Sequence, residues 1–276
     1  MITIDNLGFR YGQNVVLNGI TMTFSPGKIY GLLGENGVGK TTLLTILCGL
    51  KNACTGSVTI DGEIPYRRNP SLLERISYIP DEVSPQHCTA ENWAKASGAF
   101  RPQFKMEDFL RIAEEFEIDV TAMMDKMSNG QLKKTYISFA LACKSDYYFM
   151  DEPTNGLDIP SKAQFRTALL KHVPETSTII ISTHQVRDLE NIIDPIVILD
   201  KRSVLLNASL EEISSKLYFD YGSQLHEGNL YMEQLPGGFI QVLPNTGGLD
   251  SKVNIEALFN AAHRNKELIK AIFSHE

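Results

Sequence analysis

The chain has 276 residues, of which 43% are hydrophobic and 21% charged, and its formal net charge is −7. This length allows one large or two modest domains, and the composition is that of an ordinary soluble globular protein. The acidic balance argues against a strongly basic face for nucleic acid, so no nucleic-acid partner is expected. No run of about 18 apolar residues predicts a membrane span. Four cysteines without metal-binding spacing favour free thiols.

The first part of the chain predicts strands followed by a loop and a helix. Over the first 30 residues or so, apolar and polar side chains alternate, which favours antiparallel strands. A short apolar run at 29–33 predicts a buried strand, and residues 42–48 have helical character. Further strands are predicted at 57–60 and 76–79.

The middle and later parts differ in periodicity. Residues 87–144 show helical periodicity with few β-branched runs. From Tyr147 strands and helices alternate, which predicts a mostly parallel sheet with helices on its faces. The elements predicted there are strands at 147–150, 178–182 and 195–199, a helix near 160–172 and a helix from Gln185.

Beyond residue 200 the pattern changes again. Two apolar runs flank Pro236-Gly237-Gly238 and predict a hairpin, and residues 253–273 predict one amphipathic helix. The predicted division is a domain at 1–200, with its core at 1–86 and 145–200 and a helical part at 87–144, followed by a small α+β extension at 201–276.

Residues 34–41, GENGVGKT, fit the pattern G-x-x-x-x-G-K-[ST] in full, between a predicted strand and a predicted helix. Glycines let backbone N–H groups turn inward around phosphate oxygens, and a helix start favours an anion. Lys40 can reach the β and γ phosphates, and the Thr41 hydroxyl can bind Mg²⁺. The predicted ATP contacts are Asn36, Gly37, Val38, Gly39, Lys40, Thr41 and Thr42.

A hydrophobic strand at 147–150 ends in two carboxylates, Asp151 and Glu152. We expect Asp151 to hold Mg²⁺ through its water shell, as in other P-loop enzymes. Glu152 lies one residue further and can polarise the attacking water as general base. Alone, the pair would also fit a solvated acidic turn. Together with the phosphate loop it predicts ATP hydrolysis.

With these motifs in place, the chain resembles the ATP-binding subunits of ABC transporters over about residues 1–215. The segment from Met127 to Gln131, MSNGQ, is similar to the signature motif at the start of a helix. The segment 151–158, DEPTNGLD, resembles the Mg²⁺ and base segment joined to the dimer-contact loop. Ser182-Thr183-His184 looks like the switch histidine after a strand. Tyr11 sits where the family stacks an aromatic ring on adenine.

The resemblance implies an α/β P-loop NTPase core: a mostly parallel sheet with helices and an N-terminal antiparallel β subdomain. It also implies an inserted helical subdomain and a small C-terminal α+β extension. Two ATP molecules would be sandwiched in a head-to-tail homodimer or heterodimer, in which Ser128, Gly130 and Gln131 of one subunit face the γ-phosphate held by the other. His184 would contact the γ-phosphate and orient the water, and Asp158 would signal across the interface.

A transporter role implies a separate transmembrane permease subunit, because this chain has no predicted membrane span. The ATPase would then be cytoplasmic and peripheral on the cytoplasmic face of the membrane. A single ATPase unit with a short extension is more similar to exporter subunits than to importers with long regulatory domains. Export is therefore the expected direction.

Two positions depart from the family pattern. Asp81 follows the strand at 76–79, where the family usually has a glutamine that contacts Mg²⁺. A carboxylate is a good ligand for a hard cation, so we expect Asp81 to substitute in part. Asn129 replaces the first glycine of the signature pair at a position that points toward the interface, and we expect it to be tolerated.

Other nucleotide-binding proteins remain alternatives. One is a soluble ABC-type ATPase that acts on ribosomes or DNA. Ribosomal members carry two tandem ATPase units, and DNA-repair members insert a long coiled coil, whereas this chain has one unit and no sustained heptads. A P-loop kinase or GTPase is disfavoured by the signature segment, by His184 and by the lack of a guanine-reading N-K-x-D stretch.

Overall fold

The computed structural model describes residues 1–273. Its strands are β1 (Ile2–Tyr11), β2 (Asn14–Phe24), β3 (Ile29–Leu33), β4 (Thr55–Ile60), β5 (Ile76–Ile79), β6 (Tyr147–Asp151), β7 (Thr178–Thr183), β8 (Ile196–Asp200), β9 (Ser203–Ala208), β10 (Leu217–Gly222), β11 (Tyr231–Leu235) and β12 (Gly238–Pro244). Its helices are α1 (Lys40–Leu47), α2 (Pro70–Leu73), α3 (Ala90–Gly98), α4 (Met106–Glu115), α5 (Asn129–Ala142), α6 (Ile159–His172), α7 (Leu210–Lys216), α8 (Ile255–Arg264) and α9 (Lys266–Phe273).

A six-stranded sheet with the order β5-β6-β7-β3-β8-β9 forms the centre of the fold. Its first five strands run parallel, and β9 is antiparallel to β8. Strands β6, β7 and β8 are buried along their whole length, as expected for apolar runs covered on both faces. Because parallel strands end at the same edge, the segments after β3, β6 and β7 emerge side by side.

An antiparallel sheet of order β2-β1-β4 packs beside this core. Alternate apolar residues of β1 and β2 point into one cluster with α1, which explains the period-two pattern of the sequence. Between β5 and β6 the chain forms α3, α4 and α5, in the interval whose periodicity predicts helical structure. The predicted fold class, a mostly parallel sheet with helices and an N-terminal antiparallel sheet, is confirmed.

The C-terminal part forms a three-stranded antiparallel sheet of order β10-β12-β11 with α7, α8 and α9. The predicted hairpin joins β11 to β12, and Gly237 in its turn has a φ of 95°, in the left-handed region. Strand β9, which the sequence did not predict, pairs with β8, so the central sheet continues to Ala208. The division at residue 200 stays a prediction.

Two predicted helices are wrong in part. The helix expected from Gln185 is only a short 3-10 turn at Val186–Asp188, because contacts from α6 hold this segment: Arg166 donates to the Asp188 carbonyl at 2.8 Å. The single helix expected at 253–273 is two helices that meet at Asn265. The side chain of Asn265 donates to the Leu230 carbonyl, which ties the break to the neighbouring sheet segment.

Among residues 1–273, no helix combines the length and the apolar character needed to cross a bilayer.

Candidate functional site

The phosphate loop joins the end of β3 to the start of α1, and its shape depends on glycine. Gly37 and Gly39 have φ values of 80° and 114°, in the left-handed region that favours glycine. A Cβ at Gly39 would lie 2.8 Å from Leu17 Cδ2, and a Cβ at Gly34 would lie 2.8 Å from the Leu199 carbonyl oxygen. The loop is therefore fitted closely between β2 and β8, and a larger residue at either position would displace it.

Lys40 is the first residue of α1, and its buried ammonium lies inside the loop. Its Nζ donates to the carbonyl oxygens of Gly34 at 2.7 Å and Glu35 at 3.2 Å, and it lies 3.8 Å from Glu152 Oε1. Burial lowers the pKa of Lys40, while the charges of Glu152 and Asp151 act in the opposite direction. A cation in this position can neutralise a phosphate group bound by the loop.

Thr41 and Asp151 meet beside this lysine. Thr41 Oγ1 donates to Asp151 Oδ2 at 2.6 Å, and the Ser182 hydroxyl donates to the other carboxylate oxygen. Asp151 is buried at the end of β6, and Ser182 lies on the adjacent strand β7. A hydroxyl and a carboxylate are hard oxygen ligands at one point of the site, so these residues fit a magnesium ion. Ser182 was not among the predicted ligands, and its role is to fix the carboxylate.

Glu152 and His184 form the next pair along the sheet edge. His184 Nδ1 lies 2.9 Å from Glu152 Oε1, and the His184 amide donates to Oε2 at 3.3 Å. Glu152 is buried and has a φ of 45°, an uncommon conformation for a residue with a side chain. The Ser182 carbonyl accepts the Glu152 amide at 3.1 Å and holds this turn. The result is a fixed carboxylate that can accept a proton.

Tyr11 comes from the end of β1 and lies beside the start of α1. Its hydroxyl is 3.4 Å from Thr42 Oγ1, and Lys51 Nζ is 5.1 Å from the ring centroid. Much of the ring is exposed, so it offers a surface on which a base can stack. A cavity of about 470 Å³ also borders the phosphate loop; it is lined by Asn14–Val16, Glu35–Val38 and Asp200–Arg202.

The signature segment begins α5 with a capping box. Ser128 Oγ accepts the Gln131 amide at 3.2 Å, and the Gln131 side chain accepts the Ser128 amide at 2.9 Å. A Cβ at Gly130 would lie 3.4 Å from the Gly156 carbonyl oxygen, so the segment packs on the loop after β6. Within residues 1–273, no hydrogen bond or ion pair joins the signature segment to the phosphate loop. Within the described part of the chain, these two predicted parts of the site are thus not joined by a polar contact.

Asp158 is exposed and caps α6, accepting the Ser161 amide at 2.9 Å. Hydrogen bonding from the Ser161 side chain, and then from its amide, lowers the pKa of the Asp158 carboxyl. Its role at a dimer interface stays a prediction, because the capping of α6 is enough to account for the position of Asp158 in a single chain.

Asp81 follows β5 and is held by Asn155, from the predicted segment 151–158, and by Lys133, which the sequence analysis did not single out. Asn155 Nδ2 donates to Asp81 Oδ1 at 3.0 Å, and Lys133 Nζ lies 3.9 Å from the same oxygen. A sequence signal for Lys133 existed: it shares a buried stripe of α5 with Ile137 and Leu141, where a lysine is rarely found. The Asp81 carboxylate is thus bound within the chain, and its contact with Mg²⁺ stays a prediction.

The sheet and the phosphate loop define the class of protein. A glycine-rich loop between a parallel strand and a helix, with a strand-end carboxylate on its Thr41, is the arrangement of P-loop nucleotide-binding proteins. A family model described as ABC transporter matches residues 17–155, just over half of the chain. The chain therefore belongs to the ABC transporter family, as one of its ATP-binding subunits.

Relatives across most of the length agree with this family. An uncharacterised ABC transporter ATP-binding protein of Methanocaldococcus jannaschii is 29% identical over 240 residues, which cover 85% of this chain and 87% of the relative. The Nod factor export ATP-binding protein I of Cupriavidus metallidurans is 28% identical and covers 82% of this chain and 78% of its own.

Solved structures agree with the fold. The ATP-binding subunit of an ABC transporter superposes with a TM-score of 0.70 at 23% identity, over 77% of this chain and 91% of that one. A dimeric ATP-binding cassette, solved in a post-hydrolysis state with ADP and Pi, gives a TM-score of 0.68 at 19% identity, over 76% and 99%.

Proposed function

We propose that this chain hydrolyses ATP with Mg²⁺ and that it powers export through a separate transmembrane permease. The observation that carries the proposal is that two pairs of side chains lie together where the neighbouring strands β6 and β7 end. Thr41 bonds to Asp151 at 2.6 Å, and His184 lies 2.9 Å from Glu152, both beside a complete phosphate loop. These are an ion-binding pair and a base with its orienting residue, as hydrolysis of a phosphoanhydride requires.

Nucleotide binding follows from the loop and its surroundings. Backbone N–H groups of 36–42 and the α1 dipole favour the phosphates, Lys40 adds a cation, and Tyr11 takes the adenine ring. Thr41 and Asp151 would hold Mg²⁺, Asp151 through its water shell, with Asp81 as a further ligand. When bound, the ion neutralises charge on the β and γ phosphate oxygens.

Hydrolysis needs a water activated next to the γ-phosphate. Glu152 accepts a proton from this water as its oxygen attacks phosphorus, and the bond from phosphorus to the bridging oxygen of ADP breaks. His184 holds the Glu152 carboxylate in orientation and contacts the γ-phosphate. The positive φ of Glu152 and its burial fix the carboxylate before the nucleotide arrives, which lowers the reorganisation that catalysis requires.

The separation of the signature segment from the phosphate loop supports a dimer. In a head-to-tail pair, Ser128, Gly130 and Gln131 of each subunit would close the phosphate site of the other, and Asp158 would lie at the contact. The start of α5 favours an anion through its dipole. The name of one structural neighbour describes a dimer with ADP and Pi, and the fold shared with it is compatible with this arrangement.

Export and the membrane partner are supported by the names of relatives. One relative is named for Nod factor export. The chain would be cytoplasmic and attached to the inner face of the membrane by its permease. Capture of the tagged chain from detergent extracts tests this partner, and a multi-span membrane protein is the expected companion.

The proposed chemistry is tested by Glu152→Gln. We expect ATP turnover to fall by about 10²–10⁴, the usual contribution of a general base, because the amide cannot accept the proton. ATP affinity is expected to stay the same, and size-exclusion chromatography with ATP should show a trapped dimer. Glu114→Gln, an exposed glutamate on α4, is the matched control. Phosphate release at near wild-type rate in Glu152→Gln would show that the base is assigned wrongly.

A further inference from the structure

Lys133 is a charged residue on the buried face of α5, where an apolar residue would be expected. It lies one turn into α5, and its side chain is only 3% exposed. The residues that follow it on the same helix face, Ile137 and Leu141, are fully buried. A leucine or methionine would pack there without the cost of burying an ammonium, so the charge must be compensated by its contacts.

The contacts of Lys133 are concentrated on the loop after β5. Its Nζ donates to the Asp81 carbonyl oxygen at 2.5 Å and to the Pro80 carbonyl oxygen at 3.1 Å. It also lies 3.9 Å from Asp81 Oδ1, which accepts a hydrogen bond from Asn155 Nδ2 at 3.0 Å. Hydrogen bonds to a charged donor are among the stronger ones in proteins. The main tie is therefore between the lysine and the backbone of the loop.

Three functional segments meet at this lysine. They are the loop after β5, the first turns of α5, and the loop after β6 that contains Asn155 and Gly156. Together they border a cavity of about 380 Å³, whose other lining residues are Glu82, Val83 and Asn129. Since Lys133 lies one turn after the Ser128 cap, its bond to the Asp81 carbonyl joins the Asp81 loop to the start of the signature helix.

We propose that Lys133 is a positioning residue for ATP hydrolysis, which ties the Asp81 loop to the start of α5 and keeps Asp81 and the signature segment in one relative orientation. This inference rests on the proposed function. In this arrangement the buried ammonium of Lys133 binds Asp81, the residue that stands where the family usually has a neutral glutamine. It assigns no contact with nucleotide to Lys133 itself.

Lys133→Met tests the tie, because methionine fills the same apolar position without donors. We expect kcat for ATP to fall by about 10- to 100-fold, since small displacements of catalytic groups cost this much. The dissociation constant for ATP should stay within about twofold, because the contacts of the phosphate loop are unchanged. Without nucleotide, hydrogen exchange at the amides of residues 81–84 should become faster than in the wild type.

Lys133→Gln separates positioning from packing. Glutamine keeps a donor for the Asp81 carbonyl but is less apolar than methionine. Positioning predicts that kcat decreases in the order wild type, Lys133→Gln, Lys133→Met. Packing alone predicts that Lys133→Met is at least as active as Lys133→Gln, and this order would overturn the inference. If Lys133→Met does not fold, Lys133→Gln still has to show reduced kcat with unchanged ATP affinity.

Lys171→Met, which removes an exposed lysine paired with Glu115 on the surface, is the matched control and should leave kcat unchanged. Wild-type kcat in Lys133→Met, with or without faster exchange, contradicts the positioning role. If the wild type itself does not hydrolyse ATP, the proposed function fails. The exchange experiment needs no nucleotide, so it still decides whether Lys133 holds the loop.

Discussion

Two regions of the molecule bury charged side chains, and they differ in how completely those charges are satisfied. At the junction between the C-terminal helices and β8, both carboxylate oxygens of Asp200 have a partner: Lys266 Nζ lies 2.5 Å from one, and His263 Nδ1 lies 3.4 Å from the other. At the strand ends, Lys40 Nζ lies 3.8 Å from its nearest carboxylate, and it donates its hydrogen bonds to carbonyl oxygens of its own loop. The junction is neutralised within the chain, whereas the strand ends hold a cation whose strongest partner would be a phosphate.

This difference separates a structural ion group from a binding site. A paired buried charge contributes to stability mainly because removing its partner is costly. A buried cation that is bound mainly by carbonyl oxygens, with its nearest carboxylate at 3.8 Å, gains more from an incoming anion and contributes little to folding. The two regions are also neighbours, because Asp200 borders the cavity beside the phosphate loop. Substitutions in each should therefore affect different measurements, although the regions touch.

The largest effect is expected from Lys40→Met at the strand ends, and the quantity that should change is the affinity for ATP. A hydrogen bond to a charged group contributes about 1.5–3 kcal/mol, which corresponds to an ATP affinity about 10- to 100-fold lower. The thermal midpoint without nucleotide should not fall, because methionine removes a buried charge. Isothermal titration calorimetry and thermal unfolding give the two measurements. Lys28→Met, an exposed lysine before β3, is the control. ATP affinity within twofold of the wild type would contradict the role of Lys40.

Asp200→Asn should affect stability and leave binding almost unchanged. It keeps the shape of the side chain but removes the charge that faces Lys266 and His263. We expect the free energy of unfolding to fall by about 1–3 kcal/mol, less than for a fully buried pair because Lys266 is partly exposed. Urea unfolding measures this change, with the exposed Asp250→Asn as control. A large loss of ATP affinity with unchanged stability would show that Asp200 belongs to the nucleotide site.

The sequence predicts the strand-end site well because its parts are local. Each functional residue there follows a short apolar strand, and parallel strands place their ends together without further information. Residues 34–41 and the pair Asp151-Glu152 could thus be assigned before any long-range contact was known. The sequence places Ser182 in the switch segment but does not predict its bond to Asp151, because its hydroxyl reaches a carboxylate 31 positions away.

The sequence predicts the tertiary contacts of helices and late strands poorly. Lys133 binds a carbonyl 52 positions away, and nothing near it in the sequence shows which loop it faces. Strand β9 follows a turn formed by Lys201 and Arg202, both with positive φ, where a glycine or asparagine would have marked the hairpin. The helix expected from Gln185 is wrong because contacts of Asp188 with α6 outweigh local propensity.

Arg187→Ala should have the smallest effect of the three substitutions, because it removes a charge pair that is exposed to solvent and not buried. Arg187 pairs with Glu256 of α8 at 2.7 Å, but the two side chains are 82% and 48% exposed. Water and salt screen such a pair, and ordering two long side chains opposes it, so we expect no measurable change in thermal midpoint or in kcat. Thermal unfolding at low and high salt measures the first, and phosphate release measures the second. A lower kcat with an unchanged midpoint would mean that the C-terminal helices act on the segment after His184 through this exposed pair. The junction would then be more than structural, and the distinction between the two regions would have to be given up.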